Sequence, residues 1–271
     1  MKDKNLIKLD NLNINDESKE VLISINKYIK ESTVENGRLP ALIISSEPGC
    51  GLSNFVDTLS EMIEDSGYFP KRGGKTSIEL VFPKDNEEHE KLFYSSAKRI
   101  ATTTNRFYGV MCVSLKEFQG KDLIMSNSLE NLIEFIEANR VNIMFVFHVL
   151  PEFRAKEQLK RRLMDVVNVK ELSIMKPSAD ESLDYLINKM KKKGQMINKK
   201  AEEILKEIVE FVVSKDDFGG YKTLNVILDQ IEFELGIRGE KNIETVMRQI
   251  KNSYDYKLYD EVEYGKVGFR I

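Results

Sequence analysis

Residues 17–31 (ESKEVLISINKYIKE) place Val21, Leu22, Ile25 and Ile29 at helical spacing, which predicts an amphipathic helix capped by Asn15 or Asp16. Asn36-Gly37 then marks a turn. Residues 41–45 (ALIIS) are a short unbroken apolar run, the pattern of a buried strand. A glycine turn, SEPGCGLS, leads into a helix from about 54 to 65, with Phe55, Leu59, Met62 and Ile63 on its apolar face. Ile78 to Phe82 predicts a second strand stopped by Pro83, and residues 87–103 a helix. Tyr108 to Val113 reads as a third strand, residues 128–139 as a strongly periodic helix, and 142–149 as a fourth strand ended by Leu150-Pro151. A helix over 155–164 and a fifth strand over 166–173 complete the series. Strands that alternate with helices predict an α/β fold with a mostly parallel sheet covered on both faces.

The character changes at Lys176-Pro177-Ser178. Downstream the periodicity predicts only helices, near 180–193, 198–213, 221–235 and 241–253, broken at Gly194, Phe218-Gly219-Gly220 and Gly236/Gly239. The expected organisation is an N-terminal segment and helix (1–37), an α/β core (38–176), a small helical domain (177–240), and a C-terminal helix and tail (241–271). The tail KLYDEVEYGKVGFRI alternates Tyr and Val with charge, which suits a hairpin or a docking tail, and its role is open. The lysines at 189, 191, 192 and 193 read as a solvated helix end that complements the helix dipole.

Composition narrows the class. At 41% hydrophobic the 271-residue chain has enough apolar material for a packed core and is not disordered. Its 41 Lys+Arg nearly balance 44 Asp+Glu, giving a net charge of -3, so a globally basic nucleic-acid binder is not expected. Two cysteines, Cys50 and Cys112, form no disulfide framework and suit a reducing compartment. Only His89 and His148 are present and neither lies at metal-ligand spacing, which argues against zinc. The longest apolar run, Ile143 to Leu150, is far short of the roughly 20 residues that span a bilayer. The N-terminus lacks the apolar stretch of a signal peptide. A cytoplasmic protein with no membrane partner is the expectation.

The first strand, the glycine turn and the following helix make the context of a phosphate-binding loop. Glycines let backbone N–H groups face phosphate oxygens, and the helix N-terminus adds partial positive charge. A lysine after the last glycine would reach the β- and γ-phosphates, and the next Ser or Thr would hold Mg²⁺. Pro48, Gly49, Cys50, Gly51, Ser53 and Asn54 are candidates for this site, but Leu52 stands at the lysine position. Two readings stay open here: a tight turn with no ligand, and a weakened or altered nucleotide site. Gly73-Gly74-Lys75-Thr76 contains GKT without a strand leading into it.

The chain resembles the AAA+ ATPases, and more narrowly the clade of red-type rubisco activase and stage V sporulation protein K. The resemblance runs from about Leu39 to Arg238. It is carried by EPGCGLS (47–53), by SLENLIEFIEANRVNIMFVFHVLPEF (128–153), by LKRRL (159–163) and by DFGGYKTLNVILDQIEFELGIR (217–238). It implies a P-loop NTPase-like core followed by a helical lid, with ATP or ADP and Mg²⁺ as cofactors. Family roles then fall as follows. The Walker A lysine is replaced by Leu52, and the Walker B Asp-Glu pair falls on Ser114-Leu115. His148 lies in the sensor 1 region, where it either faces the γ-phosphate or bonds to backbone. Arg162, or Arg161 beside it, matches the arginine finger that acts on a neighbouring subunit. Lys222 takes the sensor 2 position. The segment at the family's pore loop, FPKDNEEHE, lacks the aromatic-aliphatic-glycine step that grips a threaded peptide.

Phosphoryl transfer depends on charge placed by lysine, arginine and Mg²⁺. With Leu52, Ser114 and Leu115 in the key places, the resemblance implies a degenerate AAA+ protein, a regulatory or structural subunit that assembles with itself or with an active AAA+ relative in a ring. Two alternatives are an active remodeller with displaced residues (Lys75, Lys116 or Glu117) and a clamp-loader-like or helicase-loader-like replication accessory. Nucleic acid is the less expected partner, given the acidic balance.

Overall fold

The structure is a computed structural model, and it describes residues 16–31, 39–68, 77–82, 87–102, 108–116, 127–237 and 242–264. The cap at Asn15, the turn at Asn36-Gly37, the stop at Pro83, the segment 73–76, Glu117, Gly239 and the tail beyond Tyr264 lie outside those residues. The chain divides into two compact units. The first comprises residues 1–47 and 51–175; the second comprises Pro48–Cys50 and residues 176–271.

In the first unit, helix α1 (Asp16–Glu31) precedes β1 (Ala41–Ser46), α2 (Leu52–Asp65), β2 (Ser77–Val81), α3 (Glu87–Thr102), β3 (Gly109–Ser114), α4 (Asn127–Asn139), β4 (Ile143–Val149), α5 (Lys156–Met164) and β5 (Val169–Ile174). The five strands form one sheet in the order β2-β3-β4-β1-β5, and every neighbouring pair is parallel. Every residue of β1, β3 and β4 is buried, because helices cover both faces of a parallel sheet. On one face Ile43, Met111, Val113, Phe145 and Phe147 pack with Phe93 and Ala97 of α3, Leu132 and Ile136 of α4, and Leu159 and Leu163 of α5. On the opposite face α1 packs on β5, and α2 packs on β2 and β3. Side chains alternate along a strand, so Val110, Cys112 and Ser114 of β3 and Met144, Val146 and His148 of β4 all point to the α2 face.

Three element ends differ from the sequence pattern. Helix α2 begins at Leu52 rather than Asn54, because Gly51 (φ 89°) turns the chain and its carbonyl accepts the amide of Phe55 at 3.0 Å. Strand β5 begins at Val169 rather than Val166. The amides of Val166 and Val167 are spent on the carbonyl of Leu163 (3.0 and 2.9 Å), which closes the last turn of α5. Residues 257–264, where a hairpin was one expectation, continue a helix.

The second unit holds α6 (Ala179–Lys192), α7 (Lys199–Val213), α8 (Tyr221–Ile237) and α9 (Ile243–Tyr264). Helix α6 starts with a reciprocal capping box: Ser178 Oγ accepts the Glu181 amide, and the Glu181 carboxylate accepts the Ser178 amide. Asn198 caps α7 by accepting the amide of Ala201 at 2.8 Å. Leu186, Met190, Leu205, Val209, Leu224, Ile227, Ile231 and Met247 form its core. Among the described residues no helix is long and apolar enough to cross a membrane.

Candidate functional site

In an open parallel sheet, ligands bind beyond the carboxyl ends of the strands. Three of those ends converge here. Register sets Ser114 of β3 beside His148 of β4, and His148 beside Ile44 of β1, two residues before Ser46. Ser114 Oγ lies 3.2 Å from His148 Nδ1, and His148 Nε2 lies 3.0 Å from the carbonyl oxygen of Ser46. A carbonyl can only accept, so Nε2 carries the proton; in the neutral ring, which burial favours, Nδ1 is the acceptor and the Ser114 hydroxyl donates. The imidazole is neutral in this arrangement. Burial holds its pKa below the usual histidine value, against the opposing pull of the Ser46 carbonyl and Glu79, while Lys116 reinforces the lowering.

The two positions expected to carry the Walker B acids are therefore closed. Ser114 is 1% exposed and engaged with His148, and Leu115 is fully buried within the core on the opposite face of the sheet. A side chain so placed can neither hold Mg²⁺ nor orient water. Cys112 lies on the same strand face; burial, and secondarily Glu79, push its thiol up to about 12, so it is not a nucleophile.

The loop carries the glycines of a phosphate-binding turn, with Leu52 at the lysine position. Gly49 and Gly51 both adopt φ 89°, a region that favours glycine, and no side chain caps the N-terminus of α2. Leu52 is half-buried, and Ser53 and Asn54 are exposed in the first turn of α2. Ser53 Oγ donates to Glu79 Oε2 at 3.3 Å, and one turn on Asp57 accepts from Ser77 Oγ. The sequence reading missed both carboxylates. The available signal was Glu79 itself, a charged residue inside the run IELVF.

Pro48–Cys50 belong to the second unit. Within that unit the Gly49 carbonyl accepts the amide of Tyr221 at 2.9 Å. A Cβ at Gly49 would lie 2.0 Å from the carbonyl oxygen of Gly219, and one at Gly220 would lie 2.6 Å from that of Gly49. Backbone is thus pressed on backbone, and the loop's first glycine is held by the turn that opens α8. Cys50 is buried and Pro48 exposed. Lys222 is exposed in the first turn of α8.

The arginine candidates lie elsewhere, on α5. Arg162 pairs with Glu130 of α4 and, at 3.9 Å, with Asp165; Arg161 beside it is exposed. Among the described residues no group of three or more His, Cys, Asp or Glu could hold a metal. The Ser53–Glu79 pair offers one hydroxyl and one carboxylate. Without an ammonium at position 52 or a carboxylate at 114, Glu79 would repel a polyphosphate.

The neutral state of His148 gives a pH prediction. An unfolded histidine binds a proton near pH 6.5, and the folded one binds it only at lower pH. The contribution is fully present above that unfolded value and is lost as pH falls through the lower folded value. Denaturant midpoints measured between pH 7.5 and 5.5 are expected to fall with pH, and this slope is expected to shrink in His148→Gln; an unchanged slope would contradict a neutral buried imidazole.

Comparison with known proteins agrees with this architecture. No curated protein sequence matches the chain. Among solved structures it is similar to the Thermotoga maritima RuvB Holliday junction branch migration motor, at TM-score 0.55 and 12% identity over 87% of this chain and 68% of that one. It is also similar to C. elegans PCH-2, at TM-score 0.59 and 12% identity over 94% of this chain and 72% of that one. Both are AAA+ ATPases, and the likeness shows the fold: an α/β P-loop NTPase-like core with C-terminal helices. A family model, the Gtr1/RagA G protein conserved region, matches residues 70–227, a stretch that begins after the glycine loop and takes in more than half of the chain. The chain therefore belongs to the Gtr1/RagA G protein conserved region family.

Proposed function

We propose that this protein is a pseudo-ATPase: a P-loop NTPase scaffold that does not turn over ATP and works through protein contacts as a regulatory or structural subunit. The observation that carries this reading is the sealed pair at the end of β3, with Ser114 bonded to His148 and Leu115 buried in the core. The missing groups act in concert, since phosphoryl transfer is almost entirely positioning and charge neutralisation. Its partner is a second copy or an active AAA+ relative. Arg161, an exposed cation beside the Glu130-paired Arg162, supports this reading as the residue that would act on a partner.

A phosphate-release assay on the full chain, alone and mixed with purified AAA+ proteins from the same genome, tests the proposal. The expected result is no turnover by the chain alone and a changed rate in a mixture that co-elutes as one assembly. Turnover by the chain alone that is lost in Ser53→Ala would overturn it in favour of an active enzyme that uses the Ser53–Glu79 pair.

A further inference from the structure

Between residues 189 and 200 the chain carries six lysines, no acidic residue, no arginine and no aromatic residue. These residues form the end of α6, a short connection and the start of α7. Two of the lysines are occupied: Lys193 pairs with Glu232, and the Lys189 ammonium lies 5.4 Å from the centre of the Tyr185 ring. Lys191, Lys192, Lys199 and Lys200 are exposed and take part in no ion pair among the described residues. Lys191 and Lys192 sit in the last turn of α6, where cations complement the helix dipole. Lys199 and Lys200 sit in the first turn of α7, where the dipole opposes them. Helix stability accounts for the first two and not for the second two. In the connection between them, Met196 is 92% exposed, the most exposed of the large apolar side chains in the described residues, and the half-buried Ile197 follows it.

An apolar tip flanked by cations complements the interface of a negatively charged bilayer, where the side chain enters the acyl boundary and the ammonium groups meet lipid phosphates. We infer that the α6–α7 tip is a peripheral docking surface for an anionic lipid bilayer. Nucleic acid fits less well, because the tip offers no aromatic side chain to stack on a base and no guanidinium for bidentate phosphate or base contact. Peripheral docking needs no spanning segment. The inference stands apart from the pseudo-ATPase reading.

The test is co-sedimentation of the full chain with vesicles of phosphatidylcholine containing about 30% phosphatidylserine, against vesicles of phosphatidylcholine alone. Binding to the anionic vesicles only is expected, weakening as salt rises from about 0.1 to 0.5 M. The double variant K192E/K200E should lose at least about tenfold in affinity. Met196→Ser, which leaves the charge unchanged, should lose about fivefold. Absence of vesicle binding would overturn the inference. So would anionic binding that Met196→Ser leaves intact, or equally tight binding of a nucleic-acid duplex, since either makes the tip a general polyanion contact.

Discussion

Gly49→Ala should cost roughly 3 kcal/mol or more of stability, far beyond the usual effect of adding a methyl group to a loop. Two penalties coincide at this residue. Its φ of 89° is a region that alanine enters only with strain, and its Cβ would meet the Gly219 carbonyl oxygen at 2.0 Å. The neighbour is backbone, held by the hydrogen bond from Tyr221 to the Gly49 carbonyl, so it has no rotamer by which to move aside. Gly194 separates the two penalties. It lies in the same unit with φ 76°, and nothing stands within 4 Å of its Cβ position. Gly194→Ala should therefore cost only the conformational part, about 1 kcal/mol. Denaturant unfolding of the two variants checks this. Equal costs would mean that the loop is not pressed against the Gly219-Gly220 turn.

Replacing His148 is the second large effect. His148→Leu keeps an apolar body of similar size and removes both ring nitrogens. The Ser114 hydroxyl and the Ser46 carbonyl would then be buried without the partner they now have. Orphaned buried groups cost about 1–3 kcal/mol each, so a loss of roughly 2–6 kcal/mol is expected. Ser114→Ala in the same background removes one of the orphans. The double variant should therefore be less damaged than the sum of the single ones, by about 1 kcal/mol. Simple additivity would show that the 3.2 Å contact contributes nothing and that Ser114 is only a small buried residue.

Much of the fold is legible in the sequence because a doubly covered parallel sheet has a strong signature. Strands such as ALIISS and IMFVFHV are buried on both faces, so they read as unbroken apolar runs between periodic helices. The element ends are less legible where a hydrogen bond, rather than a side chain, decides them. Val166 and Val167 suit a strand by composition, yet their amides complete the turn after α5. The site was legible as positions and not as contacts. Leu52, Ser114 and Leu115 can be set against a motif residue by residue. That Ser114 meets His148 depends on strand register across 34 residues of sequence. That Ser53 meets Glu79 depends on how α2 lies on β2. The closeness of Gly49 and Gly219 could not be read at all, since two glycines leave no pattern beyond the turn each predicts.

On the pseudo-ATPase reading proposed above, the same contacts are the reason that a loop of nearly ordinary composition does not serve a nucleotide. Its glycines shape the turn, but the cation that should follow them is Leu52, and the carboxylate that should face it across the sheet is a serine already bonded to histidine. Charge-assisted hydrogen bonds are the strong ones in such a site. Their loss leaves the partial charge of one helix end against a triphosphate, with Glu79 nearby opposing it.

Calorimetric titration of the full chain with ATP and with ADP, with and without Mg²⁺, run beside Leu52→Lys, measures this most directly. The expected result is no Mg²⁺-dependent heat from the natural chain at millimolar nucleotide, and measurable binding once the lysine is restored. Equal, Mg²⁺-dependent binding by both proteins would contradict it, since the loop would then hold nucleotide without a lysine at position 52 or a carboxylate at position 114.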